Sequence, residues 1–166
     1  MALTIRKATR QDAPTILTLV RALAEYERAA DQVQARLEDV ERDGFGENPF
    51  FECLLADWDG RPVGMALYFF TWSTWTGRPT LYLEDLFVLP EQRGEGIGGA
   101  LLAACAAIAA RKGCPRFEWA VLDWNQPARD FYHRLGAYHK ADWLPYRLEG
   151  AALVELARSS IYCAEE

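Results

Sequence analysis

Apolar and polar positions alternate along Leu3-Thr4-Ile5-Arg6-Lys7-Ala8, the period of a half-buried strand. The pattern then changes. Ile16, Leu17, Leu19, Val20, Leu23 and Ala24 recur with helical spacing, and Thr9 with Asp12 three residues on forms a capping-box-like start. Val33, Leu37 and Val40 share one face of a second predicted helix over Ala30 to Arg42. After the turn-rich loop Gly44–Pro49, Phe50 to Trp58 and Arg61 to Trp72 read as strands joined by Asp59-Gly60, a hairpin signal. A loop with Trp, Gly and Pro spans Trp72 to Thr80. Leu81 to Leu89 is a further strand, ended by Pro90. An Ala/Leu-rich helix over Ala100 to Lys112, a strand over Phe117 to Leu122 and a short helix over Gln126 to Leu135 follow. Asn125 stands at the cap of that last helix and Pro127 in its first turn. Tyr138 to His139, Tyr146 to Leu148 and Ala152 to Leu156 read as the last strand material. The order β, α, α, β, β, β, α, β, α, β, β predicts a mixed α/β sheet with helices on both faces. The ligand is expected outside the carboxyl ends of the central strands.

Composition narrows the classes. The 166 residues fit a single domain, 1–166, with no repeat, linker or low-complexity tract. No apolar run approaches the roughly 18 residues that span a bilayer, and the N-terminus reads as a strand rather than a signal peptide, so no membrane association and a cytoplasmic location are expected. Cys53, Cys105, Cys114 and Cys163 are scattered, with no Cys-x-x-Cys pair, and read as reduced thiols. With only His133 and His139 beside them, no metal site is expected. The net charge of −6 argues against nucleic acid and favours cationic ligands. Trp58, Trp72, Trp119 and Trp143 read as core or interface residues.

The candidate chemistry starts at Glu91-Gln92-Arg93-Gly94-Glu95-Gly96-Ile97-Gly98-Gly99, between a strand and a helix. Glycines let the backbone approach a phosphate, and the free N–H groups of the helix's first turn point at it. The spacing is not that of a dinucleotide fold, because no acidic residue stands about 20 residues further on. No Gly-Lys-Ser/Thr triplet marks a nucleotide-hydrolase loop.

The segment is similar to the Gln/Arg-x-x-Gly-x-Gly/Ala signature of the GNAT acetyltransferases, which hold the pyrophosphate of acetyl-CoA with it. Further motifs resemble the spermidine/spermine (diamine) N-acetyltransferase branch. They are Ala24-Glu25-Tyr26-Glu27, Asp43-Gly44-Phe45-Gly46-Glu47-Asn48-Pro49-Phe50, Tyr82-Leu83-Glu84-Asp85-Leu86-Phe87-Val88, Trp124-Asn125-Gln126-Pro127 and Phe131-Tyr132-His133-Arg134-Leu135-Gly136-Ala137. The resemblance covers nearly the whole chain. It implies a GNAT-type, mostly antiparallel sheet, acetyl-CoA as cosubstrate, and a homodimer. It also implies that Leu86, Phe87 and Val88 line the acetyl and pantetheine arm. Arg93, Gly94, Glu95, Gly96, Ile97, Gly98 and Gly99 would cradle the pyrophosphate. Asn125 would contact the cofactor from the other side, and Tyr132 would lie near its sulfur. Glu27, Trp75, Glu84 and Asp85 match positions of the amine pocket. The chain departs from the branch at Arg28, which follows Glu27 where further acidic residues are usual, and in a longer Trp75–Thr80 loop. Both departures shift the expectation from long polyamines toward short diamines and thialysine-like amines.

An alkyl ammonium has a pKa near 10.4, so roughly one molecule in 10³ is neutral at pH 7. Only the neutral amine attacks a thioester. The site must hold the cation and then take a proton, tasks suited to carboxylates and a carboxylate–water chain. Glu84 is the candidate base. Strand alternation predicts that Glu84 and Asp85 point to opposite faces. A strand N–H, that of Leu86, is the candidate oxyanion donor, and the Tyr132 hydroxyl the candidate acid for the leaving thiolate. Two other readings remain open: acetylation of a protein amine or an aminoglycoside, and a CoA-binding module without turnover.

Overall fold

The computed structural model describes residues Ala2–Tyr162. They divide into two compact units, with the boundary between Ala120 and Val121. In the first, β1 (Leu3–Lys7), α1 (Ala13–Tyr26), α2 (Leu37–Phe45), β2 (Glu52–Trp58), β3 (Arg61–Ser73), β4 (Arg78–Val88), α3 (Ile97–Arg111) and β5 (Arg116–Trp119) follow in order. They build one five-stranded sheet, β1-β2-β3-β4-β5. The first four strands are antiparallel, and β5 runs parallel to β4. This is the expected mixed, mostly antiparallel sheet.

Helices cover both faces. The apolar stripe of α1 (Ile16, Leu17, Leu19, Leu23) and Val40 of α2 pack with Cys53, Leu55, Met65, Leu67 and Phe87. Ile16 and Leu55 are fully buried, and each such side chain contributes about 1.5–3 kcal/mol. On the other face α3 buries Ile97, Leu101, Leu102, Cys105 and Ala109. Gly64 permits that approach: a Cβ there would meet the Phe87 carbonyl oxygen at 2.8 Å and Leu101 Cδ1 at 3.5 Å.

Local chemistry sets the element boundaries. The Thr9 N–H donates to the Asp12 carboxylate at 2.8 Å, as the capping-box reading expects. Arg6 bridges Asp12 (2.8 Å) and Asp57 (2.6 Å), tying β1 to the start of α1 and to β2. Arg6 holds the Asp12 carboxyl well below the ordinary range. The β2–β3 hairpin turns at Asp59 (φ 48°) and Gly60 (φ 79°), the two positive angles of a type I′ turn. The expected helix over Ala30 to Arg42 is displaced. Ala30–Gln32 makes only a 3-10 turn, Val33 is extended, and α2 starts after Arg36, whose N–H donates to Asp39 at 3.0 Å. The Trp72–Thr80 loop shrinks to a four-residue connection, because β3 runs on to Ser73 and β4 begins at Arg78.

The second unit contains α4 (Gln126–Arg134) and α5 (Gly150–Arg158). Here the strand expectations fail. Tyr138–His139 and Tyr146–Leu148 lie outside any strand, and Ala152–Leu156 is helical. The Ala-Ala-Leu-Val-Glu-Leu-Ala run is rich in strong helix formers, which outweigh its short apolar stretch. Of the tryptophans, Trp72 and Trp143 are each 65% exposed and so lie outside the core, and Trp58 and Trp119 are half-buried. Cys53 and Cys105 are buried free thiols and Cys114 is a half-buried one, whereas Cys163 lies outside the described residues.

Candidate active site

The site is built around an interruption in β4. Parallel pairing with β5 covers only Thr80↔Arg116 to Leu83↔Trp119, while β4 continues to Val88. From Glu84 onward its β5-facing edge is therefore open in the sense that no strand among the described residues pairs with it. The Leu89 N–H donates to the Val63 carbonyl at 2.8 Å, on the β3 side. Hydrogen-bonding direction alternates along a strand, so Val88 and Leu86 present their N–H and C=O groups to the open edge. The Val88 carbonyl indeed accepts from Arg93 Nε at 3.1 Å.

A β-bulge lies at the same place. Leu67 pairs with Asp85 but Tyr68 pairs with Leu83, so Glu84 is the extra residue. A bulge sets two residues opposite one and resets the alternation. Glu84 and Asp85 both face Leu67, on the side covered by α1. They do not point to opposite faces, as unbroken alternation would require. Tyr82 shares that face: burial raises its hydroxyl pKa, with help from the Glu84 charge and then Glu118.

Glu27 joins them from the end of α1. Burial raises its pKa. Asp85 is pushed up to about 6, first by burial and then by the charges of Glu84 and Glu27. The charges of Glu84 and Glu27 both reach Asp85, and burial holds Glu27 and Asp85 above their ordinary range, so the three carboxylates form one acidic group on β4 and the end of α1.

The cradle follows directly. Gly94 (φ 87°) and Gly96 (φ 78°) have left-handed backbones, and Gly96 caps α3. The α3 ladder begins with the Ala100 N–H on the Gly96 carbonyl at 3.0 Å. The N–H groups of Ile97, Gly98 and Gly99 precede that bond and have no acceptor within the helix. A Cβ added at Gly94, Gly96 or Gly99 would meet nothing within 4 Å. These glycines therefore keep open the space in front of the helix N-terminus, where an anion is favoured. Glu95 is exposed in the turn and Ile97 is buried beneath it.

The remaining expected residues are Trp75, Asn125 and Tyr132. Trp75 occupies the β3–β4 hairpin tip and is 81% exposed. Arg78, six residues before Glu84, is already about 20 Å away along the strand, and Trp75 lies beyond it. Asn125 and Tyr132 belong to the second unit. There Asn125 Oδ1 accepts from the Ala128 N–H at 3.4 Å, capping α4, and Tyr132 sits on that helix 5.5 Å from the Phe131 ring. A groove of about 330 Å³, lined by Pro14, Thr15, Thr18, Leu19, Pro62 and Leu89, contains none of the carboxylates. Tyr82 and Tyr26 stand inside the family-like motifs without an expected role. Tyr82 packs on the Phe69 ring within reach of the Glu84 charge, and Tyr26 lies under the Arg93 guanidinium.

An unpaired strand edge, a glycine turn with free helix amides and a carboxylate group on the same strand have the chemistry that a phosphate-bearing donor and a cationic acceptor would need. Residues 16–137 match the acetyltransferase (GNAT) family model, and the chain belongs to this family of N-acetyltransferases. Within the family, it is 48% identical to a thialysine N-epsilon-acetyltransferase of Sus scrofa, over 92% of this chain and 96% of that one. It is 36% identical to a spermidine/spermine N(1)-acetyltransferase-like protein 1 of Homo sapiens, over 92% of this chain and 23% of the human protein. Among solved structures, an integron cassette protein from the mobile metagenome of V. cholerae superposes with a TM-score of 0.82 at 26% identity, over 96% of this chain and 99% of that one. The family implies acetyl-CoA as cosubstrate, and the free amides and uncrowded glycines fit its pyrophosphate.

Proposed function

We propose that this N-acetyltransferase modifies the terminal primary amine of a small cationic substrate, with thialysine-like amino acids and short diamines ranked above spermine. The observation that carries the reading is the carboxylate group Glu27, Glu84 and Asp85 beside the open edge of β4. Acetyl-CoA supplies the activated thioester. Residues Arg93 to Gly99 hold its pyrophosphate, and Leu86, Phe87 and Val88 line its arm. The three carboxylates bind the ammonium group. Glu84, directly or through a water, takes the proton that must leave before attack. The Leu86 N–H, aimed at the open edge, stabilises the oxyanion that develops on the thioester carbonyl. Tyr132 donates to the departing thiolate, and Asn125 contacts the cofactor.

Similarity to thialysine N-epsilon-acetyltransferases supports an amino acid acceptor. Arg28, next to Glu27, supplies a cation for its carboxylate. Arg78 is less suited, since it stands at the far end of β4 with its Nη1 only 3.7 Å from a Cβ built at Gly113. We further assign one catalytic domain to the whole chain, a homodimer as its assembly and the cytoplasm as its location; Trp75, at the far hairpin tip, has no part in the pocket of Glu27, Glu84 and Asp85 within its own chain. The test is kcat/KM at fixed acetyl-CoA across thialysine, putrescine, spermidine, spermine and a neutral aryl amine. Thialysine or putrescine leading supports the reading. Spermine leading overturns the ranking, and the aryl amine leading overturns the electrostatic basis.

A further inference from the structure

The Arg93 side chain turns back from the glycine turn toward the sheet and α1. Its Nε donates to the Val88 carbonyl at 3.1 Å. Its guanidinium carbon lies 4.4 Å from the centroid of the Tyr26 ring and 5.6 Å from that of Phe87. One side chain thus joins the turn, the open end of β4 and the last residue of α1. A planar guanidinium can stack on a ring while hydrogen-bonding in its own plane, which a lysine ammonium cannot do.

Tyr26 stands just before Glu27, the C-cap of α1. There the chain turns sharply. The Glu27 N–H donates to Leu23 (2.9 Å), the Ala29 N–H to Ala24 (2.8 Å), and Arg28 takes a left-handed backbone with φ 60°. A non-glycine residue is uncommon in that region. Whatever fixes Tyr26 therefore fixes the direction of Glu27, whose charge reaches Asp85.

We propose that, while the Arg93 backbone lines the cradle, its side chain positions the amine pocket: by stacking on Tyr26 it holds the end of α1, and with it Glu27, in register with Asp85. The inference rests on the functional reading above. An anion at the N-terminus of α3 immobilises the turn that carries Arg93, so cradle occupancy tightens amine binding. By linkage the amine tightens the cofactor by the same factor.

The perturbation is Tyr26→Leu, which removes the ring face but keeps apolar bulk and helix propensity and leaves every cradle residue in place. Tyr26→Phe keeps the face and is the conservative control. Putrescine is titrated calorimetrically onto the protein alone and onto the protein saturated with CoA, which cannot turn over. In wild type and Tyr26→Phe, CoA should tighten putrescine binding by about fivefold or more. In Tyr26→Leu that ratio should fall to about one, with CoA affinity and cooperative melting retained. A ratio preserved in Tyr26→Leu, a ratio lost equally in Tyr26→Phe, or parallel weakening of both ligands overturns the clamp alone. Wild-type protein that binds neither CoA nor putrescine overturns the functional reading and the clamp with it.

Discussion

Replacing Gly96 by alanine separates a cofactor cradle from an ordinary tight turn. Gly96 has φ 78° and Gly60, in the β2–β3 hairpin, has φ 79°; at both positions an added Cβ meets nothing within 4 Å. The two substitutions therefore carry the same backbone penalty, about 1–2 kcal/mol for an L-residue held left-handed. For a chain of this size each kcal/mol lowers Tm by roughly 2–4 °C. Gly96→Ala and Gly60→Ala should accordingly melt together, a few degrees below wild type. They should differ in binding. At Gly96 the methyl group enters the space in front of the free amides of Ile97, Gly98 and Gly99, which the proposed cradle gives to the pyrophosphate. A displacement that weakens two amide contacts removes at least 1.4 kcal/mol, or about tenfold in Kd. Gly60→Ala should bind acetyl-CoA as wild type does. The assay is calorimetric titration of acetyl-CoA beside a thermal melt for each protein. Equal affinity in the two folded variants would refute the cradle, because the strain is matched and only the location differs.

Asp85→Asn should stabilise the free protein while impairing it. Its folded pKa of about 6 lies above the ordinary carboxylate value, so this group favours the fold below about pH 4 and loses that contribution as pH rises through 6. At pH 7 the asparagine variant should be more stable by about 1–3 kcal/mol; at pH 4 it should match wild type. Its kcat/KM profile should also lose an inflection near pH 6, and equal stability of the two proteins at pH 7 would contradict the electrostatics. Tyr132→Phe should lower kcat by roughly 10²-fold with little change in acetyl-CoA affinity; wild-type turnover would leave Tyr132 a packing residue. Light scattering at micromolar concentration should give a dimer mass, and a monomer mass would contradict the assembly.

Much of the fold was legible where one force dominated. The spacing of Ile16 to Ala24 located α1, Asp59-Gly60 located the hairpin, and Pro90 with the glycines marked the boundary between β4 and α3. Competing forces hid the rest. Val33 and Val40 share a helical face by number, yet the cap formed by Arg36 and Asp39 starts α2 four residues after Val33. Apolar content suggested strands near the C-terminus, but helix propensity decided Gly150–Arg158. At the site, the glycine turn and the carboxylates were readable as residue types, but their orientation was not. The adjacent pair Glu84-Asp85 in the otherwise uncharged run Leu81 to Leu89 was the trace of the bulge that turns both toward α1. The stacking of Arg93 on Tyr26 spans 67 positions in sequence, so no local pattern could announce it.

The most direct measurement follows acetyl transfer by mass spectrometry to a cationic primary amine and to a neutral amine of equal length. Wild type, Glu84→Gln and Asp85→Asn are compared at saturating acetyl-CoA. The account predicts that wild type acetylates the cationic amine at its terminal nitrogen and prefers it over the neutral one. Both variants should lose that preference by about tenfold or more. No acetyl transfer by wild type, or equal losses on the two amines, would contradict a carboxylate-lined site for a small cationic acceptor.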